Sequence, residues 1–334
     1  MALIGLALNV AIVAAAVLLL VASSEKAVKK IGHLLHYYGF SASFAGLAIM
    51  ATVTSLPEIL THLTASAGIL SGTLDYGIAS STALGANIGS DVIQQTLILG
   101  LVVLLAGKFV FKKDFLKTAY LPMIGTTLMT LFLGWDGTLS RADGLILFGT
   151  FVLYMGYLYR RESSHVHEAV ERHKKQHRKR PWLKKDLAIL IASFALMLAS
   201  ASLLLSSAEE IVLVTGLGGS LIGVITLGVA SAAPEFFTAV SAIRHKNLSL
   251  SLGTLIGSNI TNPLVAIGLG ALISTYYVPR PLLLWDLPME TVTAAILLLY
   301  LLRTKGKLRK LGAIYLIGLY IFYIAVRLVL FPVD

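Results

Sequence analysis

The sequence predicts an all-α polytopic membrane protein: ten transmembrane helices, arranged as two inverted five-helix repeats with helices broken at the membrane midplane. Three observations lead there. The 334-residue chain is 57% hydrophobic and 13% charged, with mean hydropathy +0.83, far from the composition of a soluble domain. Apolar runs of about twenty residues recur along it, enough to cross a bilayer as helices. Two distant stretches also spell nearly the same thing. Ser43-Phe44-Ala45-Gly46 leading to Thr54-Ser55-Leu56-Pro57-Glu58 returns 177 residues later as Ser220-Leu221-Ile222-Gly223 leading to Ser231-Ala232-Ala233-Pro234-Glu235. A second pair follows at an offset of 172, Gly85-Ala86-Asn87-Ile88 and Gly257-Ser258-Asn259-Ile260.

In chain order, helices are expected at about 3–22, 40–68, 77–106, 116–133 and 142–160, then at about 186–206, 211–243, 249–275, 283–302 and 311–330. A β-barrel would show short alternating segments instead. The first apolar run has no basic residue before it, and its lysines follow it. That is the pattern of a retained helix, not of a cleaved leader.

The connections alternate in charge. Lys26, Lys29 and Lys30 follow the first helix, and Lys108, Lys112, Lys113 and Lys117 separate the third and fourth. Ten Lys/Arg lie between Arg160 and Lys185, Arg244 and Lys246 follow the seventh helix, and five run from Arg303 to Lys310. These are 24 of the 27 basic residues, all on one side; the other side holds Arg141 and Arg280, with Arg327 in the last helix. By the positive-inside rule the basic side is cytoplasmic, both termini are outside, and the plasma membrane is the expected location. The net charge of +10 is therefore a topology signal and not a sign of nucleic-acid binding.

The domain reading follows: a first repeat at 1–160, a cytoplasmic basic linker at 161–185 and a second repeat at 186–334. With five helices each, the second repeat inserts upside down relative to the first. Glu58 then lies on an outward-running helix and Glu235 on an inward-running one, facing each other about a pseudo-two-fold axis in the membrane plane. In the linker, Glu168, Glu171, Arg172, Lys175 and Lys179 allow some helical pairing. His165, His167, His173 and His177 read as part of a solvated segment beside anionic lipid, not as a metal site.

Chemistry concentrates at the repeats. A proline within a helix removes one amide donor and clashes with the carbonyl four residues back, loosening the backbone at Val53-Thr54 and at Ala230-Ser231. Carbonyls freed at membrane depth persist only where a cavity or a cation satisfies them. One residue beyond each proline sits a glutamate, and an intramembrane carboxylate usually marks an ion or proton pathway. Two carbonyl clusters and two carboxylates meeting at the midplane make an all-oxygen site suited to a hard divalent cation such as Ca²⁺.

The second motif places Gly85 and Gly257 for close helix approach. Asn87 and Asn259 either brace the broken helices or donate oxygen to an ion. Ser90, Asp91, Gln94 and Gln95 correspond roughly to Thr261 and Asn262 of the other half. Asp91 is taken as the only further carboxylate in the spanning interior, either as a third ligand or as a protonated hydrogen-bond donor. An enzyme built on Glu58, Glu235 and His62 is disfavoured. His62 has no duplicate, its counterpart being Ala239, and no nucleophile elbow, metalloprotease helix or nucleotide loop is present. With no cysteine, thiolate chemistry and disulfides are also absent.

These residues resemble the calcium/cation antiporter superfamily, most closely its prokaryotic sodium/calcium exchanger branch. Thr54-Ser55-Leu56-Pro57-Glu58 is similar to the family's first-repeat motif, and Ser231-Ala232-Ala233-Pro234-Glu235 to its second. Gly257-Ser258-Asn259-Ile260-Thr261-Asn262 also fits the family pattern. The resemblance covers nearly the whole chain apart from the linker, and it implies alternating-access exchange of Ca²⁺ for Na⁺ with no cofactor. It implies Ca²⁺ held by Glu58, Glu235 and the carbonyls of Thr54 and Ser231. One coupling-cation site would use Ser55, Glu58 and the Ala51 carbonyl, and the other Glu235, Ser258 and the Gly228 carbonyl. Asn262, Ser90 and Asp91 complete the candidate ligands. The expected partners are Ca²⁺, a monovalent counter-cation and the lipid bilayer, with the chain as a monomer.

The sequence also departs from the family. Ala86 stands where a serine is usual, and Ala232 where a hydroxyl is usual, so each presumed Na⁺ site lacks an oxygen. Ser90 replaces a common amide, with Asp91 one step on. The alternative reading is therefore an H⁺-coupled exchanger of Ca²⁺, Mn²⁺ or Mg²⁺.

Overall fold

The computed structural model describes residues 2–38, 45–175 and 183–334; Ser43, Phe44, His177 and Lys179 lie outside them. Nine helices among the described residues are long and apolar enough to cross a membrane, and a bent pair makes a tenth span. They are α1 (Ala2–Tyr38), α2 (Leu47–Thr54 with Leu56–Ser71), α3 (Tyr76–Ala106), α4 (Lys113–Leu133), α5 (Arg141–Lys175), α6 (Leu183–Thr215), α7 (Gly219–Arg244), α8 (Leu248–Ser274), α9 (Leu282–Arg303) and α10 (Lys310–Leu330).

Five predicted spans match to within a few residues, the predicted start of the second at about 40 lies outside the described residues, and four boundaries differ. α1 continues well past 22, carrying Lys26, Lys29 and Lys30 as helical residues. Nothing between Leu6 and Ile31 breaks a helix, and Glu25 and Lys29 pair across one turn at 3.8 Å. α6 does not stop at 206, nor does α7 begin at 211. The polar run Ser206-Ser207-Ala208-Glu209-Glu210 stays helical, and the chain turns only at Gly216, where φ is 71°. α5 likewise runs helically past 160, to Lys175, and α6 starts at Leu183.

Short contacts sort the connections onto two faces. Strand β1 (Lys108–Val110) in the α3–α4 connection pairs antiparallel with Lys307–Arg309 between α9 and α10. On the same face Lys30 Nζ meets Asp186 Oδ1 at 2.7 Å, joining α1 to α6, and Arg161 pairs with Asp114. On the opposite face, Thr138–Leu139 pairs with Tyr276–Tyr277, and Gly218 N–H donates to the Pro332 carbonyl at 2.8 Å. The basic connections thus share one face, as the charge pattern requires.

The centre belongs to α2, α3, α7 and α8. The most apolar stretch of α3 is 78% buried and that of α8 83%, against 17% for α1 and 22% for α10, so the outer helices turn apolar surface toward lipid. α3 packs on α7 and α8 on α2. A Cβ on Gly85 would lie 2.2 Å from the Ser220 carbonyl oxygen, and one on Gly257 would lie 2.6 Å from the Ala51 Cβ. Only glycine permits these crossings. Each central helix also widens into a π-type turn, at Ala45–Met50, Gln94–Ile98, Gly223–Gly228 and Asn262–Ile267. Such turns free backbone groups and recur at functional sites; hydropathy carries no signal for them.

Candidate cation-binding site

Both Pro-Glu motifs begin a new helical segment. The chain leaves helical geometry at Ser55 (φ −77°, ψ 6°), and the two pieces of α2 meet at 53°. In α7 the matching break is at Ala232 (φ −72°, ψ −8°), yet the helix continues as one span, Gly219–Arg244. The proline effect predicted at Val53-Thr54 and Ala230-Ser231 is therefore real in both halves but unequal, and it falls one residue later.

Each proline delivers its glutamate to the interior: Glu58 is 2% exposed and Glu235 0%. Ser90 Oγ donates to Glu58 Oε1 at 2.8 Å. Among the described residues Glu58 Oε2 and both carboxylate oxygens of Glu235 have no hydrogen-bond partner, and no salt bridge reaches either residue. Glu58 lies beside Ser231 and Glu235 beside Thr54, so each carboxylate meets the hydroxyl residue of the opposite repeat. The two carboxylates are close enough for their charges to repel. A buried carboxylate without a cationic partner carries a desolvation penalty of about several kcal/mol. This arrangement is neutral only with a bound cation or bound protons.

The remaining predicted residues divide. Ser55 Oγ is buried without a partner among the described residues. The Ala51 carbonyl already accepts from Ser55 N–H at 3.0 Å and Thr54 Oγ1 at 3.2 Å. The Gly228 carbonyl accepts from Ala232 N–H at 3.3 Å and Ser231 Oγ at 3.4 Å. Each carbonyl thus already accepts two hydrogen bonds, and a cation there would have to displace the longer hydroxyl contact. Ser258 donates to the Gln94 side-chain oxygen, and Gln94 Nε2 donates to Ser90 Oγ at 3.0 Å.

The two asparagines play different parts. Asn259 braces, donating to Gln94 Oε1 at 3.0 Å and to the Leu255 carbonyl at 2.8 Å. Asn87 Nδ2 donates to the Asn262 carbonyl at 3.4 Å, and its Oδ1 is buried without a partner among the described residues. Asn262 Nδ2 donates to Asp91 Oδ1 at 2.6 Å.

Asp91 is not the only further interior carboxylate, which corrects the sequence expectation. Glu290 is 2% exposed and Asp286 0%, both from the α9 segment. Glu290 Oε1 accepts from Gln95 Nε2 at 3.0 Å and Thr127 Oγ1 at 2.6 Å. Gln95 Nε2 also donates to Asn259 Oδ1 at 2.8 Å, so Glu290 joins the network around Glu58. Asp286 pairs with Arg327 Nε at 3.0 Å, both side chains fully buried. Both acids fall within the predicted span 283–302; their position in an apolar run was the available signal.

Glu58, Thr61, His62, Asn87 and Ser231 line one cavity together with Leu20. Among the described residues no three His, Asp or Glu side chains gather closely enough to hold a metal ion alone. A bound cation must draw on carbonyl, hydroxyl and amide oxygens as well.

A model of the sodium/calcium exchanger protein family matches residues 8–160 and 185–329. The chain is 27% identical over 294 residues to the uncharacterised membrane protein MJ0091 of Methanocaldococcus jannaschii, covering 86% of this chain and 88% of that one. It is 23% identical over 352 aligned positions to the sodium/calcium exchanger MaX1 of Methanosarcina acetivorans, covering 93% and 95%. The solved sodium-calcium exchanger NCX_Mj soaked with 10 mM Na⁺ and 10 mM Sr²⁺ matches with TM-score 0.65 and 25% identity, over 96% of this chain and 98% of that one. In 2.5 mM Na⁺ and 0.1 mM Ca²⁺ the same exchanger matches with TM-score 0.64 and 24% identity, over 95% and 98%.

Proposed function

Because this chain belongs to the sodium/calcium exchanger protein family, an integral-membrane family of cation antiporters, we propose that it exchanges Ca²⁺ for Na⁺ by alternating access at a site built on Glu58 and Glu235. The observation that carries this reading is the reciprocal placement of two buried carboxylates, Glu58 beside Ser231 and Glu235 beside Thr54. Two negative charges among backbone carbonyls suit a hard divalent ion, here held with the carbonyls of Thr54 and Ser231. On the Na⁺ side, Ser55, Glu58 and the Ala51 carbonyl form one site, and Glu235, Ser258 and the Gly228 carbonyl the other. Asn262, Ser90 and Asp91 frame the pair. The repeats are 1–160 and 186–334, joined by 161–185. The basic face is cytoplasmic, both termini are outside, and the protein works as a monomer in the plasma membrane.

Alternating access has support in an asymmetry between the halves. By the motif alignment Leu47 corresponds to Val224, and Gly257 to Gly85. Gly257 faces Leu47, but Val224 faces Gly89, not Gly85. The two equivalent helix pairs therefore differ in register by four residues, about 6 Å along a helix. Exchanging the two registers would move an opening from one face to the other.

A second reading, H⁺-coupled exchange of Ca²⁺, Mn²⁺ or Mg²⁺, is kept on one specific observation. Ala86 and Ala232, at 4% and 1% exposure, bring no hydroxyl into the buried site, while Asp91 and Glu290 add carboxylates. Uptake of radiolabelled Ca²⁺ into proteoliposomes, driven separately by a Na⁺ gradient and by a pH gradient, decides between them. The proposed coupling requires uptake with the first and none with the second.

A further inference from the structure

We infer that the cavity beside Glu58 is a mixed nitrogen-oxygen cation site in which His62 Nε2 is a ligand, so that this exchanger accepts a borderline divalent cation of the Co²⁺ and Zn²⁺ class in competition with Ca²⁺. The inference rests on the proposed role of Glu58 and adds to it a residue outside both duplicated motifs.

Three buried polar atoms without partners among the described residues belong to residues lining this one cavity: Glu58 Oε2, His62 Nε2 and Asn87 Oδ1. Their residues are 2%, 1% and 1% exposed. Glu58 and His62 lie four residues apart in one helical segment, so their side chains share a face one turn apart. Leaving three such groups unsatisfied is costly, and a cation answers all three at once, because each presents a lone pair.

The neighbours of His62 allow the tautomer in which Nε2 presents a lone pair. The Tyr276 hydroxyl donates its one proton to the His62 carbonyl at 3.0 Å. His62 Nδ1 lies 3.1 Å from the same hydroxyl oxygen, which also lies 3.0 Å from Ser66 Oγ; with the hydroxyl proton on the carbonyl, Nδ1–H donates to that oxygen, which is the tautomer the proposal requires. Ser66 Oγ spends its own proton on the Gly270 carbonyl at 2.9 Å. Nε2 is then the bare nitrogen, in the tautomer a metal ion needs.

Tyr276 is fixed in turn. It sits in the short strand pair opposite Leu139, and its hydroxyl packs so closely on Gly270 that a Cβ there would lie 2.4 Å away. The orientation of His62 is thus built from outside the cavity. Carboxylate and amide oxygens suit Ca²⁺, whereas an imidazole nitrogen adds affinity chiefly for later first-row ions.

The test titrates the purified full chain with Co²⁺ and, separately, with Ca²⁺, following binding by calorimetry and Co²⁺ also by its visible absorption. The wild type should bind Co²⁺ with a nitrogen-ligated spectrum, and Ca²⁺ should displace it. His62→Gln should lose that spectral signature and lower the ratio of Co²⁺ to Ca²⁺ affinity by about tenfold or more. Tyr276→Phe, which keeps the histidine but removes its anchor, should lower the same ratio by a smaller factor. This second variant decides the matter if the His62 variant is not monodisperse. An unchanged ratio in both variants, or no Co²⁺ binding by the wild type, overturns the inference. Glu58→Gln separates the two claims. If it abolishes Ca²⁺ binding while His62→Gln leaves the ratio unchanged, only the histidine ligand is wrong. If Glu58→Gln leaves Ca²⁺ binding intact, the reading of the site itself falls.

Discussion

Asn262 Nδ2 donates to Asp91 Oδ1 at 2.6 Å, tying α8 of the second repeat to α3 of the first. Asp91 is thus an acceptor at this oxygen, in a contact between residues 171 positions apart in sequence.

This contact predicts how Asp91 responds to substitution. Asp91→Asn keeps an oxygen for the Asn262 amide, so thermal stability and the pH profile of Ca²⁺ flux should stay near wild type. Asp91→Ala leaves that amide buried without an acceptor and should destabilise the protein by about 1–3 kcal/mol. Thermal unfolding in detergent and flux across a range of pH values check both. A profile flattened by Asp91→Asn would instead make Asp91 a proton carrier.

Arg327 and Asp286 form the one fully buried ion pair among the described residues. Removing either partner alone strands a charge, and Arg327→Met or Asp286→Leu should each cost about 3–5 kcal/mol. The double variant should recover most of that loss, since it removes both desolvation penalties. A double-mutant cycle on unfolding midpoints measures the coupling, and strictly additive losses would contradict it.

The missing hydroxyls bear on the coupling ion. Ala86→Ser with Ala232→Ser adds one oxygen near each proposed Na⁺ site without adding charge. By analogy with a net hydrogen bond of about 0.5–1.5 kcal/mol, the half-saturating Na⁺ concentration should fall by a few-fold to about tenfold. Ca²⁺ affinity measured without Na⁺ should move less, because its proposed ligands are Glu58, Glu235 and backbone carbonyls. A Na⁺ dependence unchanged by the double substitution would show that these positions lie outside the Na⁺ sites.

Much of this architecture was legible in the sequence because the bilayer imposes it. Span lengths, the alternation of basic connections and the duplicated Pro-Glu motif all follow from solvation. What escaped depends on tertiary partners. α1 outlasts its apolar run because its charged turns pair along the helix and with Asp186. The polar stretch at Ser206–Glu210 stays helical because only Gly216 ends it. Glu290 and Asp286 sit in a span without a duplicate, so a search guided by repeats passes over them. The contact of His62 with Tyr276, 214 residues away, leaves no mark in the sequence.

The central claim is that two carboxylates from opposite repeats make one divalent site, and Ca²⁺ exchange by Glu58→Gln and Glu235→Gln in proteoliposomes tests it most directly. Each variant should remain folded, since removing an intramembrane charge relieves a desolvation penalty, and each should lose Ca²⁺ exchange, because a neutral amide cannot replace the charge around a hard divalent ion. Monodisperse variants that exchange Ca²⁺ at the wild-type rate would contradict the two-carboxylate site.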